Sequence, residues 1–278
     1  MFEERMALIE GAEAARATAS GMAAMTAALL SCLRAGDHVV ASRALFGSCR
    51  WLVETLLPRF GVATTLVHGP DLDAWAKAVR PQTKLFFFET PANPTFDLVD
   101  IAAVSNIAHD AGARVIVDNV FATPLYQKPL ALGADIVAYS ATKHIDGQGR
   151  VLGGVILGAQ AYINDELLPL LRNTGPAMSP FNAWVLLKGL ETLALRVDRM
   201  AANAQLVAEF LAMRLGRVLY PGAADFPQSE LAQRQMGSAG TIMSFFLADK
   251  AQAFKAMNAL DLIDISNNIG DSRSLITH

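Results

Sequence analysis

The sequence contains few cysteines, no cluster of histidines and no long apolar run. Its two cysteines, Cys32 and Cys49, form no CxxC pair and are too few for a disulfide framework, so we expect buried thiols in a reducing cytoplasm. The five histidines lack the spacing of metal ligands, and no metal site is predicted. The longest apolar helix-like run, Met22 to Leu33, is too short to span a bilayer, and the first residues do not resemble a signal peptide.

The sequence also lacks an excess of positive charge. Its formal net charge is −3, and no basic stripe or arginine-rich tail is present, which argues against nucleic acid as a partner. With 278 residues, 53% of them hydrophobic, the chain can bury a large core as one large domain or as a large domain with a small one. We therefore expect small-molecule partners, and neither nucleic acid nor membrane.

Strand-like and helix-like segments alternate along most of the chain. This alternation is typical of βαβ units and predicts an α/β fold with a mostly parallel sheet. Apolar spacing predicts a helix over Phe2–Ala15 and a long helix over Phe181–Arg214. We predict a large domain over residues 1–180, a connecting helix over 181–214 and a smaller domain over 215–278.

A lysine with small hydroxyl neighbours follows one predicted strand. Ser140, Thr142 and Lys143 come directly after a short apolar run and before a series of glycines. A desolvated lysine loses its proton more easily, so its amine can form a Schiff base, and the two hydroxyls can bind a phosphate. The alternative is a solvated surface lysine, since lysine is mostly exposed in proteins.

Two further positions have the character of a ligand site. Asp118 ends the apolar run that begins at Arg114, and in open α/β sheets ligands bind at the carboxyl ends of strands. Ser20 is a candidate N-cap, and the free amides of Gly21 and Met22 that follow it can hold a phosphate. The alternatives are that Asp118 caps the following turn and that Ser20 begins an ordinary helix.

These residues occur in an order that resembles the Cys/Met-metabolism family of pyridoxal-phosphate-dependent enzymes. The Ser-x-Thr-Lys run at 140–143 is the most specific match, and 20–22, 89–95 and 118–119 support it. The resemblance covers Phe2 to His278. It implies a three-layer α/β/α large domain with a mostly parallel sheet, followed by a partial small C-terminal α/β domain.

The resemblance also implies a role for individual residues, with Lys143 as the catalytic residue. Phe46 stands where the family usually has a stacking tyrosine, so the phenol hydroxyl is missing; apart from the family, core packing explains Phe46 equally well. Asn93 is expected near the cofactor's phenolic oxygen, or it bonds locally in a proline-rich turn. The residues implied to bind pyridoxal phosphate are Gly21, Met22, Phe46, Asn93, Asp118, Ser140, Thr142 and Lys143.

Within the family, the run from Lys143 to Gly154 is most similar to the O-succinylhomoserine sulfhydrylases. We therefore expect γ-replacement of O-succinylhomoserine by sulfide, giving homocysteine and succinate in methionine biosynthesis, with Asn268 as a weaker substrate-site candidate. The alternatives are cystathionine γ-synthase, γ-lyase or O-acetylhomoserine sulfhydrylase activity, or an inactive chain that keeps the fold. The last alternative arises because the family's N-terminal Tyr-Ser-Arg motif and C-terminal arginine are not in this sequence. By resemblance we expect a cytoplasmic homodimer or homotetramer.

Overall fold

Seven strands between residues 14 and 158 form the main sheet of the computed structural model, which describes residues 1–278. Six of them run in the same direction, and the seventh in sequence runs antiparallel to both of its neighbours. The predicted α/β fold with a mostly parallel sheet is confirmed. The strands are β1 (Ala14–Thr18), β2 (His38–Ser42), β3 (Ala63–Val67), β4 (Thr83–Glu89), β5 (Arg114–Asp118), β6 (Ile136–Ser140) and β7 (Gly154–Gly158), in the spatial order β1-β7-β6-β5-β4-β2-β3.

Eleven helical segments surround the sheet and continue beyond it. Two of them contain a π-helical stretch. None of the helices combines the length and the apolarity that crossing a lipid bilayer requires. The segments are α1 (Phe2–Glu10), α2 (Gly21–Cys32), α3 (Gly47–Trp51, Leu52–Leu56 and Leu57–Arg59), α4 (Leu72–Lys77), α5 (Ile101–Asp110), α6 (Thr123–Tyr126), α7 (Tyr162–Leu167 and Leu168–Thr174), α8 (Pro180–Leu190), α9 (Leu193–Leu215), α10 (Ser229–Gln235) and α11 (Lys250–Asn258), with a 3-10 turn at Leu130–Leu132.

The first predicted helix, Phe2–Ala15, was too long. Helix α1 ends at Glu10 because Gly11 adopts the left-handed conformation, with φ of 88°, and its N–H donates to the carbonyl of Ala7. The chain then forms β1, which pairs with β7 about 140 residues later in the sequence. Residues 14–18 are therefore a strand, set by a partner that is remote in sequence.

The long helix predicted over Phe181–Arg214 is two helices. Helix α8 ends at Leu190 and α9 begins at Leu193, so the helix is interrupted at two residues, of which Thr192 departs from helical dihedral angles. The Arg196 guanidinium supports this break by donating to the Gly189 carbonyl at 2.9 Å and to the Thr192 hydroxyl at 3.0 Å. A carbonyl near the end of α8 is thus satisfied by a side chain from α9.

Strand side chains alternate between two buried faces of the sheet. On the front face, Phe87 of β4 and Ile116 of β5 pack with residues of α2 and α3. On the back face, Phe88 and Val117 pack beneath α4 and α5, while Tyr139 of β6 packs with α1, α8 and α9. Because side chains along a strand alternate, Glu89, Asp118 and Ser140 all belong to the front face at the carboxyl ends of their strands.

Two short strand pairs lie after residue 215. Each of their strands is two residues long, and helix α10 separates the two strands of the first pair along the sequence. The pairs are β8 (Val218–Leu219) with β9 (Ser244–Phe245), antiparallel, and β10 (Asp264–Ile265) with β11 (Leu275–Ile276), parallel.

Candidate active site

Three neighbouring parallel strands end at one edge of the sheet and carry polar residues there. In the register of the sheet Glu89 is opposite Asp118, and Asp118 is opposite Ala138, two residues before Ser140. The carboxyl edge of parallel strands is where α/β proteins bind ligands. The predicted Asp118 and Ser140 therefore lie on one face of one edge, and Lys143 follows in the turn after β6.

Helix α2 begins directly against Ser140. The Ser20 hydroxyl caps the helix by accepting from the Ala23 N–H at 3.1 Å. A Cβ atom at Gly21 would lie 2.5 Å from Cβ of Ser140, so only glycine allows this approach. The amides of Gly21 and Met22 precede the first hydrogen bonds inside the helix and are free for an anion beside the Ser140 hydroxyl.

Thr142 has a hydroxyl that is already engaged. Its Oγ1 accepts from the Gly153 N–H at 3.1 Å and donates to the Gly153 carbonyl at 3.3 Å. To bind a phosphate, this hydroxyl would have to turn away from the Gly153 carbonyl. The contact also ties the turn after β6 to the loop that leads into β7.

The Lys143 amine is half-buried and has one hydrogen-bond partner. Its Nζ donates to Oδ1 of Asn268 at 2.7 Å, so the fold brings together two predicted site residues that are 125 positions apart. Desolvation lowers the pKa of the Lys143 amine below its usual range. A larger fraction of this amine than of an exposed one is therefore the free base.

The Asp118 carboxyl is buried without a cation beside it. Its Oδ1 accepts from the Val120 N–H at 3.2 Å, and no salt bridge involves Asp118. Burial raises the pKa of Asp118 to about 7, although the Val120 N–H acts in the opposite direction. A bound cation, such as a protonated ring nitrogen, would relieve this cost by stabilising the charged form.

Phe46 and Asn93 lie on loops beside this edge. Phe46 precedes α3, its side chain is 53% exposed, and its N–H donates to Oε2 of Glu89 at 2.7 Å. Asn93 is exposed in the loop after β4, and its side chain makes no hydrogen bond to the other predicted site residues. The exposed Phe46 ring is free to stack on a ligand, whereas the Asn93 side chain has no contact that defines a role, and only its backbone N–H faces Glu89.

Glu89 and Arg196 also contact the site and are not among the residues predicted from the sequence. Glu89 anchors Phe46 and is opposite Asp118 in the sheet. Arg196 donates to the carbonyl of His144 at 2.8 Å, directly after Lys143. A signal for Glu89 was available, because a carboxylate that ends a continuous apolar strand is expected at the ligand edge.

His144 was also assigned no role. Its Nε2 is 2.8 Å from the Thr241 hydroxyl, and its Nδ1 is enclosed and makes no hydrogen bond of normal geometry. Burial, together with the charge of Arg196, lowers the pKa of His144 to about 4, although the Val120 backbone partly opposes this. The imidazole of His144 is therefore neutral at physiological pH. It connects the turn that contains Lys143 to Thr241 in the C-terminal part of the chain.

The residues present fit pyridoxal phosphate on three separate grounds. Asp118 offers a buried carboxylate without a cation, the start of α2 offers free amides against Ser140, and Lys143 offers an amine with a lowered pKa. These groups match the ring nitrogen, the phosphate and the aldehyde of that cofactor in turn. They come from β5, α2 and the turn after β6, which meet at one edge of the sheet.

Comparison with known proteins gives a consistent result. The model of the Cys/Met metabolism PLP-dependent enzyme family matches residues 1–278. An O-succinylhomoserine sulfhydrylase of Mycobacterium tuberculosis is 56% identical, and the match covers 100% of this chain and 70% of that protein. An O-succinylhomoserine sulfhydrylase of Pseudomonas aeruginosa is 48% identical, with 100% of this chain and 69% of that protein covered. An L-methionine gamma-lyase of Pseudomonas putida is 43% identical, with 100% of this chain and 71% of that protein covered. The crystal structure of metB from Corynebacterium glutamicum superposes with a TM-score of 0.97, at 37% identity over 100% of this chain and 73% of that one.

Proposed function

This chain belongs to the Cys/Met metabolism family of PLP-dependent enzymes, and from that premise we propose that it replaces the γ-substituent of O-succinylhomoserine. Sulfide adds at Cγ as succinate leaves, and the product is homocysteine, a step of methionine biosynthesis. The observation that carries the proposal is the 56% identity, over the whole chain, to an O-succinylhomoserine sulfhydrylase. The site geometry supports it, because Lys143, Asp118 and the start of α2 fit the cofactor that such chemistry needs.

Each residue of the edge has a distinct task in this proposal. Pyridoxal phosphate, when bound, supplies an electron sink that makes the Cα proton of an attached amino acid labile. Asp118 holds a negative charge for the ring nitrogen, while Ser140 and the amides of Gly21 and Met22 hold the phosphate. Lys143 binds the cofactor through Nζ and then serves as the base at Cα, a task that its lowered pKa favours.

The residue at position 46 restricts how protons move. A phenylalanine ring can stack on a ligand but has no hydroxyl to give or take a proton. Acid–base work that a tyrosine hydroxyl performs elsewhere in the family must therefore pass to another group, and we assign it to Lys143, whose amine has a lowered pKa. Asn268 accepts from Lys143 Nζ and orients that amine before substrate arrives.

The main competing proposal is elimination, as in the gamma-lyases. It is favoured by the L-methionine gamma-lyases at 38–43% identity over 99–100% of the chain. No single side chain of the site distinguishes sulfide from cysteine as the nucleophile, or replacement by either of them from elimination without a nucleophile. The distinction therefore rests on products.

Product analysis tests the proposal directly. The purified chain, supplied with pyridoxal phosphate and O-succinylhomoserine, is incubated with sulfide, with cysteine and without either nucleophile, and O-acetylhomoserine is compared as the second donor. We expect homocysteine and succinate only where sulfide is present, and neither with Lys143→Ala. Cystathionine formed from cysteine would favour a γ-synthase, and 2-oxobutanoate with ammonia formed without nucleophile would favour a γ-lyase.

We further propose that the enzyme works in the cytoplasm as a homodimer or homotetramer. The family resemblance supports both statements, and the net charge of −3 is in keeping with small-molecule partners. Sedimentation with and without pyridoxal phosphate measures the assembly.

A further inference from the structure

Glu89 and Asp118 form a pair of buried carboxyl groups at the site, hereafter the front pair. They are opposite each other on β4 and β5, and their side chains are 1% and 5% exposed. Register partners on parallel strands point to the same face, so both carboxyls lie on the front face. No lysine, arginine or histidine forms a salt bridge with either of them.

The two carboxyls differ in how their oxygens are enclosed. Glu89 accepts the Phe46 N–H at Oε2, and the backbone N–H of Asn93 also faces this carboxyl, but Oε1 is enclosed and accepts no hydrogen bond of normal geometry. Asp118 accepts the Val120 N–H at Oδ1, and its other oxygen is not among the enclosed atoms. An ionised Glu89 would therefore place negative charge on an enclosed oxygen without a donor, whereas an ionised Asp118 retains access to a ligand.

The surroundings of the front pair disfavour two negative charges. The titratable groups that face Glu89 are Asp118 from β5 and the buried Cys49 thiol from α3, and neither supplies a positive charge. Burial and then the charge of Asp118 raise the pKa of Glu89 well above its usual range, while the backbone N–H groups of Phe46 and Asn93 oppose the shift. When two like charges share a dry site, one of them is protonated.

We propose that Glu89 is a positioning residue that holds the proton of the front pair and fixes Phe46, so that Asp118 alone carries the negative charge. As a neutral acid, Glu89 still accepts the Phe46 N–H through Oε2. It thereby sets the ring expected to stack on the cofactor without adding a second negative charge near the ring nitrogen. The proton requirement does not depend on the proposed function, whereas the stacking partner of Phe46 does.

Infrared spectroscopy of the protein without cofactor or substrate tests the proton directly. A protonated carboxylic acid has a carbonyl stretch that a carboxylate lacks. At pH 8 we expect this band in the wild type, its loss in Glu89→Gln, and its retention in Glu10→Gln, a matched control at a second buried carboxyl. A band that survives in Glu89→Gln, or no band in the wild type, would overturn the proposal even if the enzyme is fully active.

Cofactor binding tests the positioning role separately. Glutamine keeps a carbonyl oxygen for the Phe46 N–H, so Glu89→Gln should bind pyridoxal phosphate within about threefold of wild type. Alanine removes that acceptor, and Glu89→Ala should weaken binding by about tenfold or more. Equal damage in both variants would mean that the negative charge is needed, and wild-type binding in Glu89→Ala would mean that Phe46 needs no anchor; either result contradicts the proposal. If Glu89→Ala fails to fold, the glutamine variant alone decides, because a charge requirement would already impair it.

Discussion

Buried carboxyl groups occur on both faces of the main sheet, and they differ in what surrounds them. On the front face, Glu89 and Asp118 have backbone donors and no side-chain partner. On the back face, Glu10 at the end of α1 accepts the hydroxyl of Tyr139. Both faces thus contain a carboxyl with one enclosed oxygen that lacks a hydrogen bond, Oε1 of Glu89 and Oε1 of Glu10, but only on the back face does the other oxygen accept from a side chain.

The back network consists of Glu10, Tyr139, Asn119 and Gln127. Asn119 Nδ2 donates to the Tyr139 hydroxyl at 2.6 Å, and Gln127 Nε2 donates to Asn119 Oδ1 at 2.7 Å. Lys128 lies close enough to Glu10 to favour its charged form. Side chains that bond to one another in this way stabilise the fold, and the oxygen left without a partner, Oε1 of Glu10, is enclosed and out of reach of a ligand.

The comparison shows how a site is recognised among buried polar residues. In the front pair only backbone N–H groups donate to the carboxyls. In the back network other side chains donate to Glu10 and to one another. We therefore assign the front pair to the cofactor and the back network to stability. If this assignment is right, substitutions on the two faces should separate loss of activity from loss of stability.

The largest expected effect is on activity, from Asp118→Asn. The change keeps the shape but removes the charge, and a hydrogen bond to a charged group contributes about 1.5–3 kcal/mol, so turnover should fall by about 100-fold. The free energy of unfolding of the cofactor-free protein should not fall, because a desolvated carboxylate is lost. Steady-state assays and chemical denaturation measure the two quantities, and Glu10→Gln, with activity within about twofold of wild type, is the opposite-face control. A large loss of activity in Glu10→Gln would remove the distinction between the faces.

An intermediate effect is expected where α2 meets Ser140. In Gly21→Ala the new Cβ would lie 2.5 Å from Ser140, so the helix start must move and the affinity for pyridoxal phosphate should fall by about tenfold. Gly47→Ala is the matched control, since Gly47 also begins a helix and a Cβ there meets nothing within 4 Å. Fluorescence titration with the cofactor measures both. Equal affinities in the two variants would exclude the start of α2 from the phosphate site.

The smallest effect concerns stability and pH on the back face. Burial raises the pKa of Glu10 from 4.5 to about 7, with Tyr139 and Lys128 opposing. The folded state then binds this proton more tightly than the unfolded chain, so stability is highest at low pH and falls as pH rises from about 4.5 to about 7. The decrease in the free energy of unfolding that Glu10 alone causes is at most about 3 kcal/mol.

Glu10→Gln should reduce that loss, because glutamine does not titrate and still offers an oxygen to Tyr139. The free energy of unfolding of the variant will still fall with rising pH, because Asp118 and Glu89 also have raised pKa values and contribute with the same sign. Denaturation at pH 5, 6 and 7 for wild type and variant measures the difference. Identical slopes would mean that Glu10 does not titrate in this range.

The sequence predicted best what is encoded locally. The strands that end at Asp118 and before Lys143 are apolar runs followed by polar residues, and the Ser20 cap adjoins its helix, so neighbouring residues contain the signal. The strand β1 was missed because Ala14–Thr18 has no strand-like alternation and forms only by pairing with β7. No local pattern predicts the Lys143–Asn268 contact, because tertiary folding joins two segments that are remote in sequence, and only the family resemblance indicated that both residues belong to one site.

The measurement that tests the account most directly is the visible spectrum of the chain with pyridoxal phosphate. We compare wild type, Lys143→Ala and Lys188→Ala; Lys188 is an exposed lysine paired with Glu191 at 2.8 Å. The account predicts the long-wavelength absorption of lysine-bound cofactor in wild type and Lys188→Ala, and its absence in Lys143→Ala. Persistence of that absorption in Lys143→Ala, or its absence from folded wild type, would contradict the claim that this edge of the sheet is a pyridoxal-phosphate site built on Lys143.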